Sequence, residues 1–165
     1  MANWTIQCAD RYLAVLYDYL HEKMYGYHVL QADETPVLVN KDGRPAGSKS
    51  YMWVYRTGRQ YFYRFVKPAS RMGPASGNLQ VFPFVFNRVV DLVFRYSLHQ
   101  EKYLKVFLDD GEVPMDNNAA EQSVRGFCIG KKNWVMIDTV AGAKSSAIIY
   151  SIAETAKANK LKPYD

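Results

Sequence analysis

Two acidic clusters contain the residues whose types suit metal chemistry. Asp33 and Glu34 follow a short apolar run and precede a Thr-Pro pair, and Glu121 lies far downstream in the segment DNNAAE. Carboxylate oxygens are the ligands that Mg²⁺ prefers, and a carboxylate at the end of a strand is held rigidly by its sheet. Residue type alone leaves a second interpretation open, in which Asp33 forms a turn before a proline.

The segment around Glu121 predicts a helix that begins with Asp116 as its N-cap, continues through Arg125 and ends near Gly130. On such a helix Glu121 and Arg125 share a face, since they are four positions apart. They could therefore form an ion pair of modest stability, or Glu121 could be a metal ligand. The residues themselves do not decide between these two interpretations.

The elements that position these carboxylates follow from hydrophobic spacing. Residues 4–24 have the spacing of an amphipathic helix, with Gly26 as a stop signal. Apolar residues 29–30 and 37–39 flank a polar group, which predicts β-structure interrupted by the acidic cluster. Two aromatic runs, 51–56 and 61–66, are separated by residues 57–60, as in a β-hairpin with a four-residue connection.

The pattern changes at Lys67, because residues 67–80 are rich in Pro, Gly and Ser and have no periodicity. We interpret them as an irregular junction within one domain of residues 1–165. Beyond it, residues 98–108 place apolar side chains on roughly one helical face, residues 134–137 predict a short strand, and residues 141–159 predict a closing helix.

Composition narrows the class of protein. The 165 residues are 48% hydrophobic and have a formal charge of +5, which favours a folded domain with an anionic partner. Cys8 and Cys128 have no neighbouring Cys or His, so neither a zinc knuckle nor a disulfide framework is expected. The longest apolar stretch, residues 81–86, is too short to span a bilayer, and no export signal is evident. We therefore expect a soluble cytoplasmic protein without a membrane partner.

Five strings closely resemble transposases of the insertion sequence 66 family. They are residues 31–36 (QADETP), 50–56 (SYMWVYR), 114–121 (PMDNNAAE), 129–134 (IGKKNW) and 154–157 (ETAK). The resemblance covers roughly residues 1–64 and 96–165. It implies an α/β, ribonuclease-H-like catalytic core, here incomplete, that consists of a helix, a hairpin-containing sheet and C-terminal helices.

The resemblance also implies an Asp-Asp-Glu triad that binds Mg²⁺ or Mn²⁺ and acts on transposon-end DNA. Asp33 matches the first Asp and Glu121 the Glu. Arg125, Lys131 and Lys132 become candidates for phosphate contact, although a Lys-Lys pair is also typical of a solvated turn.

The second Asp of the triad has no matching string. Asp91 is the one Asp between Arg64 and Tyr96, and its surroundings do not match the family segment. Our hypothesis is that an internal deletion joined two ends of a transposase, with out-of-frame or foreign residues at 66–95. Weak metal binding and little strand transfer would follow from two carboxylates without the third.

Two further interpretations stay open at this point. The chain could be a non-enzymatic remnant that binds DNA, a second copy of itself or an intact transposase. It could instead be an unrelated basic α/β protein whose carboxylates are structural.

Overall fold

The computed structural model describes residues 3–45, 47–67, 105–134 and 136–162, which form a mixed α/β fold. The predicted junction beyond Lys67 and Asp91 lie outside these ranges, as does most of the predicted helix 98–108. The elements are α1 (Asn3–Cys8), a π-helical segment (Ala9–Leu13), α2 (Ala14–Met24), β1 (Gln31–Lys41), β2 (Lys49–Thr57), β3 (Gln60–Val66), α3 (Val106–Asp109), α4 (Asn118–Trp134), β4 (Ile137–Thr139) and α5 (Val140–Ala158).

The N-terminal helical run confirms the prediction for residues 4–24, with a π-helical segment inside it. Its buried residues, Ala9, Leu20 and Met24, face the rest of the protein. No described helix combines the length and the apolar character needed to cross a membrane.

The sheet has four strands in the order β3-β2-β1-β4. β1 is antiparallel to β2, β2 is antiparallel to β3, and β4 is parallel to the last residues of β1. The predicted hairpin is confirmed, but its connection has two residues rather than four, because Thr57 pairs with Gln60. Gly58 permits this tight turn, since its φ of +48° is one that side-chain-bearing residues rarely adopt.

The acidic cluster does not interrupt β1. Asp33 pairs with Val54 and Glu34 with Trp53, so both carboxylates lie inside one continuous strand, near its beginning. The prediction of an interrupted strand with Asp33 at its end was therefore wrong, as was the turn interpretation. Successive side chains of a strand point to opposite faces of the sheet, so the Asp33 and Glu34 side chains lie on opposite sides of β1.

The main core lies between one face of the sheet and the two long C-terminal helices. Its buried members come from β1, β2, β3, α4 and α5; they are Val37, Met52, Val54, Tyr63, Val124, Phe127 and Ala147. Tyr63 and Phe127 are fully buried and their rings lie 6.3 Å apart. Burial of large aromatic side chains supplies much of the free energy that holds a helix on a sheet.

Hydroxyl groups contact the outer edge of β3, which pairs with no second strand among the described residues. The backbone N–H of Tyr63 donates to Ser151 Oγ at 2.7 Å, and that of Tyr61 donates to Thr155 Oγ1 at 3.0 Å. Tyr17 of α2 donates its hydroxyl proton to the Tyr63 carbonyl at 2.8 Å. Because an open strand edge invites pairing with other chains, these contacts both satisfy and protect the edge.

The C-terminal predictions need small corrections. α4 begins at Asn118, and the Asp116 carboxylate accepts the Asn118 backbone N–H from outside the helix at 3.2 Å. The helix also continues past Gly130 to Trp134, so the predicted strand at 134–137 starts only at Ile137. The closing helix is confirmed as α5, where Thr139 caps the first turn by accepting the N–H of Gly142.

Candidate carboxylate site

The beginning of α4 is fastened to the beginning of β1. Asn117 Nδ2 donates to the Ala32 carbonyl at 3.0 Å, and Gln31 Nε2 donates to the Asp116 carbonyl at 3.2 Å. Both strand residues immediately precede Asp33. A helix and a strand that exchange such bonds keep a fixed relative position, which is what a pair of ligands from two elements requires.

Further along, the same two elements stay in contact. Cys128 Sγ lies 3.5 Å from Thr35 Oγ1, and Lys131 Nζ donates to the Pro36 carbonyl at 2.5 Å. Residues later in α4 thus meet residues later in β1, so the helix runs in the same direction as the strand. Glu121, between these two sets of contacts, is brought to the neighbourhood of Asp33.

The electrostatics of this region agree with the arrangement of α4 along β1. The pKa of Asp33 is raised from its usual value, chiefly because the group is partly buried and further because Glu121 is negatively charged. The backbone N–H of Glu34 donates to Asp33 Oδ1 at 2.8 Å and offsets part of this increase. Burial and the charge of Asp33 also raise the pKa of Glu34. Negative charge is concentrated here, and a bound cation would relieve it.

The alternative role of Glu121 as the partner of Arg125 is not realised. Among the described residues these two side chains form no ion pair with each other, and both are exposed on α4. Lys132 is exposed as well, whereas Lys131 is held against β1 by Pro36 and by Thr35 Oγ1, 3.4 Å from Nζ. The three basic candidates are therefore not equivalent, because the Lys131 amine already has protein partners.

The oxygen donors of this site are of the kind that a hard cation such as Mg²⁺ prefers. Within the four described ranges, no three His, Cys, Asp or Glu side chains converge into a metal-binding group. Mg²⁺ commonly keeps several waters and takes only one or two carboxylates from the protein. Asp33 and Glu121 suit that arrangement, with the remaining positions open to water or to a phosphate oxygen.

Sequence reasoning missed the residues that align α4 with β1. Asn117 and Thr35 are ordinary by type, and only the unfavourable placement of asparagine inside helices suggested a polar contact near residue 117. The partners of these residues lie more than 80 positions away in the chain. No local pattern could have identified them.

Comparison with known proteins places this sequence in a family. The model described as "Transposase IS66 family" matches residues 1–79 and 86–145. The match includes residues 65–79 and 86–95, so most of the segment that we attributed to a foreign junction also resembles the family. No solved structure matches the chain.

Two uncharacterized proteins of Sinorhizobium fredii (strain NBRC 101917 / NGR234) are similar over shorter stretches. Protein y4jD is 33% identical over 70 residues, which are 42% of this chain and 14% of the relative. Protein y4hP is 32% identical over 68 residues, 41% of this chain and 12% of the relative. The aligned part thus spans only about an eighth of each relative. The family model, in contrast, matches most of the length of this chain. The chain therefore belongs to the insertion sequence 66 family of transposases.

Proposed function

We propose that this chain carries part of a transposase catalytic core in which Asp33 and Glu121 hold Mg²⁺ or Mn²⁺ against a phosphodiester of transposon-end DNA. One observation carries the proposal: hydrogen bonds from Asn117 to Ala32 and from Gln31 to Asp116 fasten the start of the Glu121 helix beside Asp33 on β1. Carboxylate oxygens that two elements hold in a fixed relative position are the donors that a hard cation such as Mg²⁺ prefers.

The topology supports a ribonuclease-H-like core. The β2-β3 hairpin lies on one side of β1, and the parallel strand β4 pairs with β1 on the other side. Helix α4 packs on the face of the sheet that carries Asp33. In this arrangement the first carboxylate lies near the beginning of the central strand and the last lies on the covering helix.

When bound, the metal ion would activate a water or a 3′-hydroxyl and neutralise charge on the phosphate. The residues of the chain perform the positioning. Asp33 and Glu121 must both be ionised to act as ligands, and Asn117 fixes the distance between their elements. Arg125, one turn beyond Glu121 and exposed, is placed to pair with a phosphate oxygen, and Lys132 can add charge from the same helix.

We further propose that the chain alone binds metal weakly and does not complete strand transfer, since two carboxylates supply less charge than three. This leaves a second candidate function, DNA binding or association with a complete transposase without cleavage. The exposed Arg125 and Lys132 on α4 favour that candidate, since basic side chains can bind phosphate without a metal ion.

Calorimetric titration of the full chain with Mn²⁺ tests the metal site. We expect Asp33→Asn and Glu121→Gln each to weaken Mn²⁺ affinity about tenfold or more, which corresponds to about 1.4 kcal/mol. Asp138→Asn is the matched control, because Asp138 is an exposed β4 carboxylate paired with Lys41 at the far end of β1. Equal binding by all four proteins would refute the site.

A cleavage assay with labelled transposon-end DNA and Mn²⁺ tests the proposed defect. We expect binding that weakens as salt is raised, without cleavage, because phosphate contacts release counterions. Efficient cleavage that Asp33→Ala abolishes would show instead that the chain is a competent transposase.

A further inference from the structure

Arg56 is a partly buried arginine whose Nε atom has no hydrogen-bond partner in the part of the chain that the structure describes. Its Nε atom is shielded from solvent and has no hydrogen-bond partner, which is true of no other buried side-chain nitrogen or oxygen in the described residues. Among those residues the guanidinium also forms no ion pair. It lies over the ring of Tyr61, with its Cζ atom 5.6 Å from the ring centre.

A guanidinium stays charged at every physiological pH and carries five N–H donors. Burying one donor without an acceptor costs free energy, since its hydrogen bond to water is lost and not replaced. Arg44 shows the ordinary solution in this chain, because it pairs with Asp42 through Nε and Nη2. The state of Arg56 is the one expected of a group that receives its acceptor from a ligand.

The position of Arg56 in the sheet relates it to the candidate carboxylate site. In the sheet register Arg56 lies opposite Gln31, and Val54 lies opposite Asp33, so Arg56 is the diagonal neighbour of Asp33 on the same face. Gln31 in turn bonds to the backbone at the start of α4. Arg56 therefore lies on the face of the sheet that carries Asp33, one diagonal position away, and within the described residues no carboxylate forms an ion pair with it.

We infer that Arg56 binds a phosphodiester oxygen of DNA next to the Asp33–Glu121 site and so positions the strand there. The inference rests on the proposed function only in taking DNA as the ligand. Arginine pairs with phosphate oxygens through two parallel N–H bonds, and the Tyr61 ring holds the guanidinium plane in place. The role is one of positioning, distinct from that of the carboxylates.

Fluorescence anisotropy with a duplex oligonucleotide of about 30 base pairs, in EDTA and at low salt, tests the inference. We expect Arg56→Gln to weaken binding about five- to tenfold and to reduce the slope of log affinity against log salt by about 0.9, the value of one phosphate contact. Arg56→Lys keeps the charge but not the paired geometry, so its affinity should be intermediate.

Arg64→Gln is the matched control. Arg64 lies on β3 next to Tyr63 in sequence, so its side chain points to the opposite face, and its loss changes the net charge equally. Equal effects of Arg56→Gln and Arg64→Gln, or no DNA binding by the wild type, would overturn the inference. Because metal is absent throughout, failure of the metal site would not produce either result.

Thermal unfolding separates binding from packing and from capture of free phosphate. Removing an unpaired donor should leave the Tm of Arg56→Gln equal to or above that of the wild type, while its DNA affinity falls. A lower Tm with unchanged DNA affinity would assign Arg56 a packing role against Tyr61 and refute the inference. Stabilisation of the wild type by inorganic phosphate, with unchanged DNA affinity in Arg56→Gln, would refute it too.

Discussion

The side-chain amide of Asn117 donates a hydrogen bond to the backbone carbonyl of Ala32, with 3.0 Å between nitrogen and oxygen. Ala32 is the residue before Asp33, and Asn117 is the residue before α4, the helix that carries Glu121. One bond thus links the two elements that supply the candidate ligands. It makes the geometry of the site depend on a residue that is not itself a ligand.

Asn117→Ala should lower Mn²⁺ affinity although both carboxylates remain. The substitution leaves the partly buried Ala32 carbonyl without this donor, and we expect the free energy of unfolding to fall by about 1 kcal/mol. Asn118→Ala is the control, since Asn118 is exposed and, among the residues that the structure describes, its side chain bonds to Asp116 and not to β1. Titration calorimetry and urea denaturation would measure both effects; identical affinities for the two variants would contradict the positioning role.

Asp33→Asn should stabilise the metal-free protein at pH 7. Partial burial, and then Glu121, raise the pKa of Asp33 above its ordinary value of 3.8. The folded state therefore binds this proton more tightly than the unfolded chain, and stability falls as the pH rises from about 3.8 through the raised pKa. The advantage of Asp33→Asn should disappear below pH 3.8. Denaturation curves across this range would show it.

Asp42→Asn should change stability at pH 7 in the opposite direction to Asp33→Asn. A side-chain hydrogen bond from Arg44 lowers the pKa of Asp42, so the ionised form stabilises the fold above pH 3.8, and this contribution is lost as the pH falls through the lowered pKa. Asp42→Asn should therefore destabilise the protein at pH 7. A stability loss in Asp33→Asn under the same conditions would argue against the electrostatic account of the site.

Ser151→Ala should destabilise the fold by about 1–3 kcal/mol, the cost of leaving a buried donor unpaired. Ser151 is fully buried and accepts the backbone N–H of Tyr63 at the edge of β3. Ser145→Ala is the matched control on α5, because within the described residues the Ser145 hydroxyl bonds to the carbonyl of Ala141 one turn earlier and to no strand. Chemical denaturation should separate the two; equal losses would mean that the strand edge gains nothing from Ser151.

Lys131→Gln and Lys132→Gln should have different effects. Lys131 donates to the Pro36 carbonyl, so its loss should reduce stability by about 1 kcal/mol. Lys132 is exposed, and its loss should change stability by less than about 0.5 kcal/mol while it lowers DNA affinity at low salt. Denaturation and anisotropy on both variants would test this. A larger loss of DNA affinity in Lys131→Gln would reverse the assignment.

Local pattern was sufficient for the elements that depend on near neighbours in sequence. The alternating aromatic runs and Gly58 predicted the β2-β3 hairpin, and helical spacing predicted α5 and the N-terminal helix. Resemblance of short strings indicated the family, which the family comparison confirmed. It also suggested that Asp33 and Glu121 act together, an idea that no spacing rule contains.

Tertiary structure decided what depends on distant partners. The polar types of Asp33 and Glu34 predicted an interrupted strand. In the folded protein both residues pair with β2, which satisfies their backbone groups and keeps β1 continuous. Lys131 and Lys132 are adjacent in sequence but about 100° apart around a helix, so packing alone determines which of them meets β1. The lack of an acceptor at Arg56 Nε among the described residues also depends on the tertiary structure. The neighbours of a side chain across strands are set by the strand register and not by residue type.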